Sequence, residues 1–233
     1  MKKNLISNYL RDFTALLFPD LCFACSGPLM GNEKYICLSC EYDLPETHFD
    51  VMEGNPVEQA FWGRSRIYSA TAFVRFEKGS KVQHLLHALK YNGQNELGDY
   101  MGQLMGQSIR DNRRFNTVDV IIPVPLHPKK LRKRSYNQSE CLAKGMGNVL
   151  HRPVLTNVLI RKIYNPTQTK KGRYQRWENV EGIFEVVEPG QLENKHVLLV
   201  DDVITTGSTL EAAALPLVGI MNTRVSVMTF AFA

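Results

Sequence analysis

The chain has 233 residues, 44% of them hydrophobic and 22% charged, with a formal net charge of +5. That is ample apolar material for a packed core, and no apolar run approaches the ~20 residues needed to cross a bilayer. The charge is uneven: residues 1–60 carry four lysines and arginines against nine acids, a net of −5, and residues 61–233 carry twenty-four against fourteen, a net of +10. Polyanions are the partners expected of the basic part.

In chain order, Met1-Lys2-Lys3 resembles the start of a signal peptide, but Arg11 and Asp12 interrupt the apolar core such a segment needs. Leu5, Ile6, Tyr9, Leu10, Phe13, Leu16 and Leu17 recur at helical spacing. This predicts an amphipathic helix over 1–20 of a cytoplasmic chain. Cys22, Cys25, Cys37 and Cys40 then form two Cys-x-x-Cys knuckles. Four thiolates at one point suit tetrahedral Zn²⁺, and a segment of this size would draw much of its folding energy from the metal. An iron–sulfur cluster could use the same ligands; disulfides or a redox pair fit the doubled pattern less well. A structural zinc ribbon over 21–44 is the expectation, followed by a connector over 45–66 rich in proline and glycine.

Residues 67–233 read as one domain. Strands are predicted at 67–76, 118–122, 155–160, 182–187, 197–203 and 225–232. Helices are predicted at 82–92, 97–109, 138–150 and 208–218, the last kinked by Pro216. Cys141 falls in the third helix as a packing residue. Strands alternating with helices predict an α/β fold with a mostly parallel sheet flanked by helices. Two basic segments interrupt the pattern. After the strand at 118–122, three prolines precede Lys129, Lys130, Arg132, Lys133 and Arg134. Segment 167–180 adds Lys170, Lys171, Arg173 and Arg176 around Gly172 and has the polarity of a lid. Either run alone reads as a solvated face; together, near a phosphate site, they read as pyrophosphate ligands.

That site is indicated at 197–210. An apolar run ends in Asp201 and Asp202, and Thr205, Thr206, Gly207, Ser208 and Thr209 lead into a helix. Ligands of open α/β sheets bind at the carboxyl ends of strands. Two carboxylates suit the vicinal hydroxyls of a ribose. The hydroxyl-rich turn at a helix N-terminus suits its 5-phosphate, and Gly207 permits close backbone approach. Ribose 5-phosphate satisfies both halves.

Segment 197–210 resembles the phosphoribosyl-pyrophosphate (PRPP) motif of type I phosphoribosyltransferases. Taken with Pro123-Val124-Pro125-Leu126-His127-Pro128 and the basic run through Gln138, with Thr167-Gln168-Thr169 to Val180, and with the four cysteines, the chain resembles the ComF family. These are competence-associated phosphoribosyltransferase homologues, and the likeness runs from about residue 18 to 227. The family carries Arg-Gly-Phe-Asn-Gln where this chain has Arg134-Ser135-Tyr136-Asn137-Gln138.

The resemblance implies a type I phosphoribosyltransferase-like core over 67–233 behind a zinc ribbon. It implies that Asp201 and Asp202 hold the ribose, with Mg²⁺ bridging ribose and pyrophosphate, and that Thr205 to Thr209 cradle the 5-phosphate. Lys130, Arg132 and Arg134 would face pyrophosphate, with Lys170, Lys171 and Arg173 in the lid. The activity expected is transfer of a 5-phosphoribosyl group from PRPP to a nitrogen acceptor, linked to DNA uptake. The alternative is a non-catalytic protein of the DNA-uptake machinery that binds single-stranded DNA. No histidine or glutamate stands out as a general acid or base.

Overall fold

The computed structural model describes residues 19–91, 93–162 and 182–233, with Lys133 described by its backbone only. The predicted N-terminal helix and the basic segment 167–180, with Lys170, Lys171 and Arg173, lie outside these residues.

The elements are α1 (Leu38–Tyr42), α2 (Pro56–Gln59), β1 (Ser69–Arg75), α3 (Lys81–Tyr91), α4 (Asn95–Ile109), β2 (Val120–Pro123), α5 (Pro128–Arg134), α6 (Gln138–Leu150), β3 (Leu159–Arg161), β4 (Phe184–Val186), β5 (His196–Ile204), α7 (Ser208–Val218) and β6 (Arg224–Phe232). Four strands form a sheet in the order β1-β6-β5-β2, every neighbouring pair parallel. β3 and β4 pair antiparallel as a separate ribbon that brackets residues 163–181.

Residues 197–200 are apolar on both faces because both faces are covered. On one side Leu198, Val200, Met228 and Phe230 pack against α3, α4 and α6. On the other, Val197, Leu199, Val225 and Val227 meet α7, residues 49–61 and the β3–β4 pair. Parallel strands covered on both faces are the expected α/β arrangement. Among the described residues, no helix is long and apolar enough to cross a membrane.

Two local differences from the sequence reading have physical causes. The strand expected at 155–160 is split. Val154 forms one parallel bridge to Ile121 beside Pro153, which has no amide to extend a ladder, and only 159–161 forms a strand. The basic run after β2 is a short helix, α5, with Pro128 in its first turn and His127 accepting from the Lys129 amide as N-cap. α7 spans the residues expected of it, with Pro216 inside, where the missing amide removes one intrahelical bond.

The glycines of α4 also find their reason. Gly98, Gly102 and Gly106 lie one helical turn apart and face α6. A Cβ on Gly102 would stand 2.1 Å from the Leu142 carbonyl oxygen, and one on Gly145 would stand 2.0 Å from that of Asp99. The two helices touch backbone to backbone, so these positions exclude any side chain.

Candidate functional site

Asp201 and Asp202 lie in the last turn of the sheet before its carboxyl edge, and strand alternation sends them to opposite faces. Asp201 accepts from the Ser139 hydroxyl (2.8 Å), at the start of α6, and from the Asp202 amide (2.9 Å). Burial, and then the adjacent Asp202, push its carboxyl up to about 7. Asp202 pairs with Lys90 Nζ at 3.0 Å, from the C-terminal end of α3.

The chain then turns through Thr205 and Thr206 to Gly207, at φ +75°, which begins α7. That conformation suits glycine. Thr205, Thr206, Ser208 and Thr209 are exposed, and the Thr206 and Ser208 hydroxyls lie 3.0 Å apart. The open first turn of α7 presents backbone amides and the positive end of the helix dipole. Arg64 braces this turn from the connector. Its guanidinium donates to the carbonyls of Ala60 (3.0 Å) and Thr206 (3.2 Å) and pairs with Glu211.

Cations face the carboxylates. Lys130 is half-buried; burial first, then Arg161, Arg134 and Lys90, push its ammonium below the usual range, with Asp202 opposing. Arg134 donates to Gln138 Oε1 at 2.7 Å. Arg161, over the Phe184 ring, has its pKa lowered by burial and opposed by Asp201, and its Nε is buried without a partner. The structure thus sets Lys130 near Asp202 and Arg161 near Asp201, with Arg134 beside Lys130. It leaves Arg132 exposed on α5. Lys90, Ser139, Arg161 and Arg64 were not singled out from the sequence. Each looks there like an ordinary helix-end, cap or surface residue.

Ser135, which replaces the family's glycine, holds φ +66° at the C-cap of α5. The turn therefore keeps the left-handed conformation that glycine serves, with Tyr136 hydroxyl bonded to the Leu89 carbonyl and Asn137 capping α6.

The four cysteines form a second centre. Their sulfurs all lie within 4.8 Å of one another, and Cys25 and Cys37 are 3.9 Å apart. Sulfurs held at ~2.3 Å by a tetrahedral ion stand about 3.8 Å apart, so the cluster can hold a metal such as zinc. Backbone amides already point at two sulfurs, Gly27 at Cys25 (3.4 Å) and Cys37 at Cys22 (3.3 Å). Such bonds favour the thiolate form that ligation needs. Cys22, Ala24, Ile36 and Cys40 belong to the same buried cluster as α3 and α4. Tyr35 bonds Glu96 (2.9 Å), His84 bonds the Ala24 carbonyl (2.9 Å), and Lys81 pairs with Asp43 (3.2 Å).

A doubly covered parallel sheet with this carboxylate and hydroxyl-rich turn at its carboxyl end defines a phosphoribosyltransferase-type domain. Residues 138–230 match the model of the phosphoribosyl transferase domain family. The chain is 26% identical to DNA utilization protein YhgH of Escherichia coli over 215 residues, covering 85% of this chain and 91% of that one. It is 32% identical to Competence protein F of Haemophilus influenzae over 130 residues, 54% of this chain and 57% of that one. It is 25% identical to Competence protein ComFC of Bacillus subtilis over 210 residues, 85% and 79% respectively. With the four-cysteine cluster ahead of that domain, these likenesses support the resemblance to the ComF family.

Proposed function

We propose that this protein binds PRPP and transfers its 5-phosphoribosyl group to a nitrogen acceptor, releasing pyrophosphate. The observation that carries the reading is the grouping of two carboxylates and a hydroxyl-rich helix start opposite Lys90, Lys130, Arg134 and Arg161. Thr205, Thr206, Gly207, Ser208 and Thr209 receive the 5-phosphate. Asp201 and Asp202 bond the ribose hydroxyls and favour the positive charge that grows on the ribose as its bond to pyrophosphate lengthens. Lys130 and Arg134 meet the departing pyrophosphate, and Arg161 offers its unpartnered Nε to the same anion. Arg132, Lys170, Lys171 and Arg173 complete the set of cations assigned to the pyrophosphate.

Two hard carboxylates are fitting donors for Mg²⁺, whose contribution when bound is to neutralise pyrophosphate oxygens. Lys90 covers Asp202 in the free protein and must release it as ligand enters.

We further infer that Cys22, Cys25, Cys37 and Cys40 hold structural zinc in a ribbon over 21–44. Residues 45–66 form a connector and 67–233 the phosphoribosyltransferase-like domain. The names of the relatives support a role in DNA uptake or use. The test is pyrophosphate release from PRPP with Mg²⁺ across a panel of nucleobases and amines. A turnover that disappears in Asp201→Asn/Asp202→Asn supports the transferase. PRPP binding without turnover on any acceptor reduces the reading to a PRPP-binding protein.

A further inference from the structure

Among the described residues two buried side-chain atoms lack a hydrogen-bond partner, Arg161 Nε and Ser65 Oγ. Folded proteins leave few such atoms, and an unrecorded water, ion or ligand is a common reason. Arg161 belongs to the site above. Ser65 lines a separate pocket of about 410 Å³, with Glu53, Glu58, Trp62, Tyr68 and Arg114 in its wall.

The Tyr68 wall of this pocket lies at the opposite end of the sheet, while Phe61 of its lining reaches the Gly207 turn. Tyr68 immediately precedes β1 and donates its amide to the Val225 carbonyl at 2.8 Å, at the start of β6. Asp201 and Asp202 lie near the carboxyl end of β5. Trp62 is 63% exposed and Tyr68 51%. Exposed as they are, both rings are supported. Trp62 lies against Gly54, where a Cβ would approach its ring to 3.5 Å. Tyr68 packs edge-on against His196 with centroids 5.2 Å apart, and the Arg224 guanidinium stands 5.2 Å from the Tyr68 centroid. Supported aromatic faces lose little freedom when a ring stacks on them.

The lining itself carries Glu53, Glu58 and Arg114, and further positive charge stands at its border. Glu58 is neutralised by Arg114. Arg66, exposed, stands in the chain between the lining residues Ser65 and Ile67, and Arg224 flanks Tyr68. Ser65 can donate or accept at the floor, and Glu53 can accept from an amino group.

We propose that this pocket takes one nucleotide unit. The base stacks on Trp62 and Tyr68 with its edge at Ser65, and the phosphate meets Arg66 and Arg224. The site is independent of the PRPP reading. A free mononucleotide and one unit of a single strand share this chemistry, and the test separates them.

A fluorescein-labelled single-stranded oligothymidylate is titrated into the full chain. Anisotropy and tryptophan fluorescence report binding. Trp62→Ala and Tyr68→Ala should each weaken binding about five- to a hundredfold, the range of one lost base–aromatic stack. Trp62→Phe should restore most of it, and unfolding midpoints should not move, since both rings are surface residues. Oligothymidylate binding should survive Asp201→Asn/Asp202→Asn, and dTMP and AMP are titrated into that variant only, because their 5-phosphates also fit the carboxylate site. Tight binding of the oligomer alone identifies a strand as the ligand; equal binding of dTMP or AMP identifies free nucleotide. No binding of any probe, unchanged binding in both alanine variants, or loss in the carboxylate variant overturns the proposal.

Discussion

The carboxylate end of the sheet and the four-cysteine ribbon are built on opposite plans. The first collects Asp201 and Asp202 of β5, Ser139 of α6, Lys90 of α3, Lys130 and Arg134 of α5 and Arg161 of β3, residues far apart in the chain. The second draws its four ligands from residues 22–40. The first is held by a packed fold and keeps its polar groups under tension: a carboxyl raised by burial, a guanidinium nitrogen unpartnered, a lysine pushed down by burial and then by its neighbours. The second has short elements, bonds amides to its sulfurs, and shares its buried residues with α3 and α4. A centre assembled by tertiary structure is ready for a ligand that comes and goes. A centre assembled locally and wedged into the core suits a metal that stays.

Metal removal is the sharpest way to break this contrast. Because Cys22 and Cys40 are core residues, chelation or Cys22→Ser should destabilise the whole chain and not the ribbon alone. A fall of the unfolding midpoint on the order of 10 °C or more is expected in calorimetry. A local change in the ribbon with an unmoved midpoint would contradict the shared core. Next comes the scaffold that aims α6 at Asp201. Gly102→Ala places a methyl group on the Leu142 carbonyl, so a loss of about 3 kcal/mol or more is expected from urea unfolding.

Smaller effects separate polar groups that serve the fold from those that serve the site. His196 is fully buried between Thr117 and Ser226 hydroxyls, each 2.8 Å away. Burial, and then Arg224, lower its pKa to about 4. Protonation therefore favours the unfolded chain. The contribution of His196 is fully present above about pH 6.5 and is lost as pH falls toward 4, about 2 kcal/mol between pH 7 and 5. The drop should shrink by that amount in His196→Gln, measured by urea unfolding at both pH values. The smallest effect is a gain: Ser135→Gly relieves the φ of +66° and should add about 1 kcal/mol in the same assay.

What the sequence disclosed followed the same divide. Adjacent carboxylates, a Thr-Thr-Gly-Ser-Thr turn and paired Cys-x-x-Cys are contiguous, so their chemistry is written in order along the chain. The sheet was legible because residues 197–200 and 225–232 are too apolar for anything but a covered strand. Lys90 was not legible, since a lysine ending an amphipathic helix is ordinary until the fold sets it on Asp202. Ser139 lies 62 residues from Asp201, and Arg64 lies 147 from Glu211; only topology joins them. The α5 helix did leave a signal that was passed over, a proline in its first turn after a capping histidine. The glycines of α4 read as weaknesses of a helix until α6 was seen against them.

The central claim is that the carboxylate end of the sheet is a PRPP site. Calorimetric titration of PRPP with Mg²⁺ into the metal-loaded protein, beside Asp201→Asn/Asp202→Asn, tests it most directly. The account predicts micromolar binding by the wild-type chain and at least a tenfold loss in the variant, about 1.4 kcal/mol or more. A folded wild-type chain that binds no PRPP, or a variant that binds as well as the wild type, would contradict it.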